Sequence, residues 1–125
     1  MNGKITTEEL TMIRDYVLLP HMEQMVERSL TDVEHSTNIL KSLYTMAGRY
    51  VLNSITSDMR KLRAELRQRN IKISNEEHSD FIVYYRYYCR GYQDRFGMTR
   101  DVMRSEISTR LGAYVAAVGG AIKKP

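Results

Sequence analysis

Positions 26, 30, 33, 37, 40, 44, 47 and 51 are apolar except for Thr37, and they follow one another in alternating steps of four and three. That is the helical period, so the stretch reads as helix with one buried face. Unbroken, it would make one long coiled-coil helix, but Ser36, Thr37 and Asn38 are poor helix-interior residues, and a break is expected there. Upstream, Thr6 followed by Glu9 is a capping-box pattern, opening a short helix that Pro20 ends or kinks after about Leu18. A second weak point lies at residues 53–57, where Thr56 or Ser57 would cap a fresh helix starting at Asp58. Met59, Leu62 and Leu66 form its apolar stripe, with Arg60, Arg63 and Arg67 alongside.

After Asn70, a helix stop, the period changes from helical to alternating at Ile71-Lys72-Ile73, and residues 74–79 read as a polar connection. Residues 81–92 then hold five tyrosines and two arginines. Aromatic and β-branched density of that kind favours a strand, so residues 71–74 and 81–89 are expected to pair as a hairpin, with a helix through 81–89 as the alternative. Alternation puts Ile82, Tyr84, Arg86 and Tyr88 on one face and Val83, Tyr85, Tyr87 and Cys89 on the other. Gly91 and Gly97 bracket a turn, Thr99 caps a last helix with stripe Met103, Ile107, Leu111, Tyr114 and Val118, and Gly119-Gly120 ends it. The expected fold is therefore mostly α: one domain over residues 1–118 with four to five helices and one two-stranded β-hairpin, then a flexible tail over 119–125. The element order matches a winged helix-turn-helix, in which Arg60, Arg63, Arg67 and Arg69 would lie on the groove-reading helix and Lys72 at the base of the wing. The apolar second strand departs from the polar wing usual in such domains.

Charge sharpens this picture. The chain of 125 residues has a net charge of +4, but residues 1–58 carry 5 basic and 8 acidic groups (−3) and residues 59–125 carry 14 and 7 (+7). Ten of the 13 arginines follow residue 59, and arginine suits bidentate contact with phosphate or carboxylate. Cys89 is the single cysteine, which excludes an intrachain disulfide and fits a reducing cytoplasm. With no leader pattern and no long apolar run, the expectation is a soluble, cytoplasmic protein with no membrane partner. His21, His35 and His78 fall in no metal-ligand spacing, and no phosphate-binding loop or nucleophile motif is present. Glu76, Glu77, His78 and Asp80 form an acid/base cluster only on paper, because they lie in a polar connection where charges commonly face water. Neither an enzyme nor a cofactor is expected.

What the pattern favours is contact. Exposed tyrosine rings with interleaved arginines suit nucleic acid, which uses stacking and phosphate pairing. They equally suit a protein partner or a second copy of the chain, where the same rings act as anchors. The candidate contact residues are Arg60, Arg63, Arg67, Arg69, Lys72, Tyr84, Arg86, Tyr88, Arg90 and Arg95. A non-enzymatic regulatory or accessory module binding nucleic acid, as a homodimer, is the leading expectation, and an interaction or homo-oligomerisation module using the tyrosine-rich hairpin is the alternative.

Three segments, Leu19 to Arg28, Leu62 to Ile73, and Tyr88-Cys89-Arg90-Gly91-Tyr92 with Phe96 and Met98, resemble the YhjD-like family of small Bacillus-type bacterial and phage proteins. The likeness covers about residues 12–115, and the Tyr-Cys-Arg-Gly-Tyr segment is its most distinctive part. The resemblance implies no activity, so no functional residue is carried over from it.

Overall fold

The structure, a computed structural model, describes residues 4–123. Three helices and three strands follow in the order α1 (Thr7–Glu34), α2 (Lys41–Gln68), β1 (Ile71–His78), β2 (Ile82–Cys89), β3 (Tyr92–Thr99) and α3 (Arg100–Lys123). The expected four to five helices with a two-stranded hairpin is thereby corrected to three helices and an antiparallel sheet of order β1-β2-β3. A winged-helix arrangement is excluded with it, because the arginine-bearing segment is the last part of a 28-residue α2 and forms no separate helix.

The capping box is formed: Glu9 N donates to Thr6 Oγ1 and Thr6 N donates to Glu9 Oε1, both at 3.1 Å. Pro20, expected to end or kink the helix, does not end it and lies inside α1. Its missing N–H and ring crowding cost on the order of 3 kcal/mol, but Leu18, Leu19 and Met22 on either side are buried in the main core, and that packing keeps the helix running. The break at residues 35–40 is real. Ser36 Oγ donates to Val33 O at 2.8 Å and Asn38 Oδ1 accepts from Leu40 N at 2.7 Å, so short polar side chains compete with the helical ladder as their chemistry predicts. The second expected break, at residues 53–57, is absent. Ile55 is fully buried and Thr56 Oγ1 donates to Glu23 Oε2 on α1 at 3.1 Å; tertiary contacts outweigh the low propensity of this stretch.

Helices α1 and α2 form an antiparallel pair, marked by Glu34–Arg49 near the connection and Glu8–Arg69 at the far end. Gly48 lets them approach closely, since a Cβ there would sit 2.6 Å from Leu30 Cδ2. Gly48→Val is expected to destabilise the fold by about 2 kcal/mol through overpacking, measurable by denaturant unfolding; an unchanged midpoint would show that the helices separate freely here.

The sheet packs one face on the open end of this pair. Asn70, at φ 60°, turns the chain out of α2 as expected. Val83, Tyr85, Tyr87 and Cys89 are buried, against Met12, Ile13 and Val17 of α1 and Leu66 of α2, so the expected facing of β2 is found. β1 extends through His78 with a bulge between Ile73 and Glu76, where a polar connection was expected. β3 occupies residues read as a turn. The chain instead reverses at Arg90 and Gly91, with φ of 50° and 91°, as two-residue hairpin turns require. Gly97 is a strand glycine: a Cβ there would meet Tyr84 Cε1 at 2.8 Å. Thr99 caps α3, its Oγ1 accepting from Val102 N at 3.1 Å. α3 runs through Gly119 and Gly120 to Lys123, since glycine costs a helix only about 1 kcal/mol relative to alanine and Val118 is held in the core. Of the expected tail, residues 124 and 125 lie outside the described residues.

Candidate functional site

The end of α2 and the start of β1 meet at a sharp turn, and the side chains on either side of it border a groove of about 610 Å³. Arg63 and Arg67 enter from α2, Lys72 from β1, Arg90 and Tyr88 from β2 and its turn, and Tyr16 from α1. Among the described residues no carboxylate lines it. Arg63, Arg67 and Lys72 are exposed, and among the described residues they make no ion pair, whereas Arg49, Arg69, Arg86, Arg90, Arg104 and Arg110 all do. Six of the 13 arginines are held in such pairs, while Arg63, Arg67 and Lys72 stand exposed together around the groove.

The groove opens onto the outer face of the sheet through Tyr88. Across that face Tyr88 is flanked by Lys72 and Gln93, Arg86 stands directly opposite Arg95, and Tyr84 lies between Glu77 and Gly97. The Arg95 guanidinium sits 4.5 Å over the Tyr84 ring, and Arg86 reaches Glu77 only at 3.9 Å. Like charges directly opposite on a sheet are unfavourable, and Glu77 on the same face offsets the Arg86–Arg95 pair only at long range.

Two expected contact residues serve the fold instead. Arg90 grips Glu9 bidentately, Nη2 to Oε1 at 3.0 Å and Nη1 to Oε2 at 3.1 Å, and also donates to Arg69 O and Lys4 O. Arg69 binds Glu65 at 2.9 Å, Glu8 at 3.0 Å and Glu9 at 3.4 Å. Glu9 is only 3% exposed, and the hydrogen bond from Arg90 holds its carboxyl down to about 2. Arg60 is exposed on α2 but lies outside the groove. Thus Arg63, Arg67, Lys72, Tyr88 and Arg90 are brought together in the groove, Tyr84, Arg86 and Arg95 on the adjoining sheet face, and Arg60 and Arg69 elsewhere. Tyr16 was missed, because nothing in its local sequence signals that α1 passes beside the turn after Asn70.

Other concave regions read differently. A groove of about 770 Å³ between the helices mixes charges, and its Asp15 is paired with Arg110 at 2.6 Å while Asp58 accepts from the Tyr114 hydroxyl at 2.5 Å. Burial, with that hydrogen bond, pushes the Tyr114 hydroxyl pKa up. Burial likewise pushes up the Cys89 thiol, which lies under the sheet and is screened from reagents. Among the described residues no cluster of three or more His, Cys, Asp or Glu side chains could hold a metal ion, and no helix is long and apolar enough to cross a membrane.

The sequence model of a family described as YhjD protein matches residues 4–118. A relative from Bacillus subtilis (strain 168), entitled "Uncharacterized protein YhjD", is 27% identical over 106 residues, covering 85% of this chain and 88% of its own. No solved structure matches.

Proposed function

The chain belongs to the YhjD protein family, and from that premise, which assigns no activity, we propose that it is a non-enzymatic accessory protein that binds nucleic acid through the groove at the end of α2. The observation that carries this reading is the set of exposed cations, Arg63, Arg67 and Lys72, which among the described residues make no ion pair and border a groove with no carboxylate in its lining. Such cations gain most by displacing the counterions of a phosphate backbone. Labelled DNA and RNA, titrated at low and moderate salt, test it: affinity should fall steeply with salt. Binding that is absent, or indifferent to salt, overturns the reading.

A second reading, self-association, draws support from a different surface than the hairpin. Tyr85 and Tyr87 are buried within one chain, which removes them as interface anchors. Ile39, Leu43, Met46 and Tyr50, by contrast, recur at steps of four, three and four and are exposed, Ile39 at 95%. Met25, Tyr44 and Val115, also exposed, line an apolar groove between the helices. A second copy laid antiparallel along this stripe, with Met46 near the two-fold axis, would set Arg49 beside the partner's Leu43, so no cations collide. Light scattering should then give a dimer that Met46→Glu converts to a monomer with unchanged helical content by circular dichroism, its unfolding temperature no longer rising with protein concentration. A wild-type monomer at every accessible concentration removes this reading.

A further inference from the structure

We infer that the outer face of the sheet is a stacking platform for single-stranded nucleic acid, an inference that rests on the nucleic-acid reading of the groove beside it. The helices cover only the inner face. On the outer face the central strand β2 carries Tyr84, Arg86 and Tyr88 in successive outward positions, about 7 Å apart, so two rings and one planar guanidinium project in a row along the strand.

Each member of the row is arranged in a way that a merely solvated surface does not require. Tyr88 is 41% exposed and has Lys72 and Gln93 on its flanks in register, leaving its ring open at the mouth of the groove. Tyr84 lies across Gly97, which has no Cβ to obstruct it, and carries the Arg95 guanidinium 4.5 Å above its centroid. That contact holds the guanidinium in place as a cationic surface on the sheet. Arg86, in register with Arg95, stands between the two rings along the strand and reaches Glu77 only at 3.9 Å. An aromatic face accepts any unpaired base, and the guanidinium groups serve both phosphate pairing and cation–π contact.

A duplex presents its phosphates outward and keeps its bases stacked inside, so it can use the cations of this surface but not its rings. The single strand uses both. The groove, with Arg63, Arg67 and Lys72, then tracks the backbone as the strand leaves the sheet at Tyr88.

The test is fluorescence anisotropy of labelled oligothymidylate and of a duplex of equal length, with the wild-type chain, Tyr88→Ala and Arg95→Ala. Stacking on one ring is worth on the order of tenfold in affinity for a single strand. Tyr88→Ala should therefore weaken oligothymidylate binding about tenfold and duplex binding, which cannot use the ring, distinctly less, while Tyr88→Phe should restore the single-strand affinity. Arg95→Ala should weaken both ligands, the single strand more. Circular dichroism of each variant checks that the sheet remains folded; if Tyr88→Ala disturbs it, Tyr88→Phe set against Tyr88→Leu reads ring against bulk. Equal loss for both ligands, or no loss, overturns the platform and leaves the groove reading standing. If the wild-type chain binds neither ligand, both readings fall together.

Discussion

Glu9→Ala is expected to cost about 3 kcal/mol of folding stability, lowering the unfolding temperature by about 10 °C, because it removes one partner of a buried pair and half of a capping box. Glu9 accepts two charge-assisted bonds from Arg90 at 3.0 and 3.1 Å, a longer one from Arg69 at 3.4 Å, and the Thr6 backbone N–H at 3.1 Å. Through these contacts one carboxylate ties the first turn of α1 to the end of α2 and to the β2–β3 turn. Arg90 also adopts φ 50°, a conformation that costs a non-glycine residue on the order of 1 kcal/mol or more. The pair with Glu9 holds it there. Glu9→Gln keeps the cap geometry and loses the charge, so it should fall between wild type and Glu9→Ala.

The same carboxylate sets an acid response. Its pKa moves from 4.5 to about 2 on folding, so the folded state binds its proton less readily than the unfolded chain. Its contribution is complete above about pH 5 and drains away as the pH falls through 4.5 toward 2. Denaturant midpoints measured across that window should decline more steeply for wild type than for Glu9→Gln, which has no proton to take up. Parallel declines would show that other carboxylates dominate the acid response and that the Glu9 contacts contribute little.

Why Glu9 was legible only as a cap has a general physical reason. A capping box is written within four residues, and Thr6 and Glu9 form it. The partners that make Glu9 central, Arg69 and Arg90, lie 60 and 81 residues away, and no local pattern announces them. The facing of β2 could be read because period-two alternation is local, as could the break at Ser36 to Asn38 and the stop at Asn70. The errors came where a local signal met a stronger tertiary one: Pro20 between the buried Leu19 and Met22, Thr56 bonded to Glu23, Gly97 beneath the Tyr84 ring. Each looked like punctuation and is instead a contact. The third strand was lost for this reason, since Gly91 and Gly97 were read as one turn when only Gly91, with Arg90, makes it. The candidate site was half legible. The arginine run on α2 and the tyrosines of β2 were visible as residue types, but that Arg69 and Arg90 are bound internally while Arg63, Arg67 and Lys72 are not depends on where the acidic N-terminal helix docks.

That sorting makes the largest functional effect predictable. Arg63→Ala/Arg67→Ala/Lys72→Ala should weaken nucleic-acid binding on the order of a hundredfold, since three charge-assisted phosphate contacts are lost. It should also flatten the dependence of log affinity on log salt by about 2 to 3, because each phosphate contact contributes about 0.7 to 0.9. Stability should change by less than about 0.5 kcal/mol per site, as these side chains are exposed and among the described residues make no ion pair. The matched comparison is Arg28→Ala/Lys41→Ala/Arg49→Ala, which removes the same charge toward the connected end of α1 and α2. Screening over about 8 Å at physiological ionic strength should leave that variant close to wild type in both affinity and salt slope. Equal weakening by the two variants would mean that net charge alone governs binding and that the groove has no special part in it. Weakening by the groove variant alone, with its slope reduced, would tie the phosphate contacts to the turn between α2 and β1.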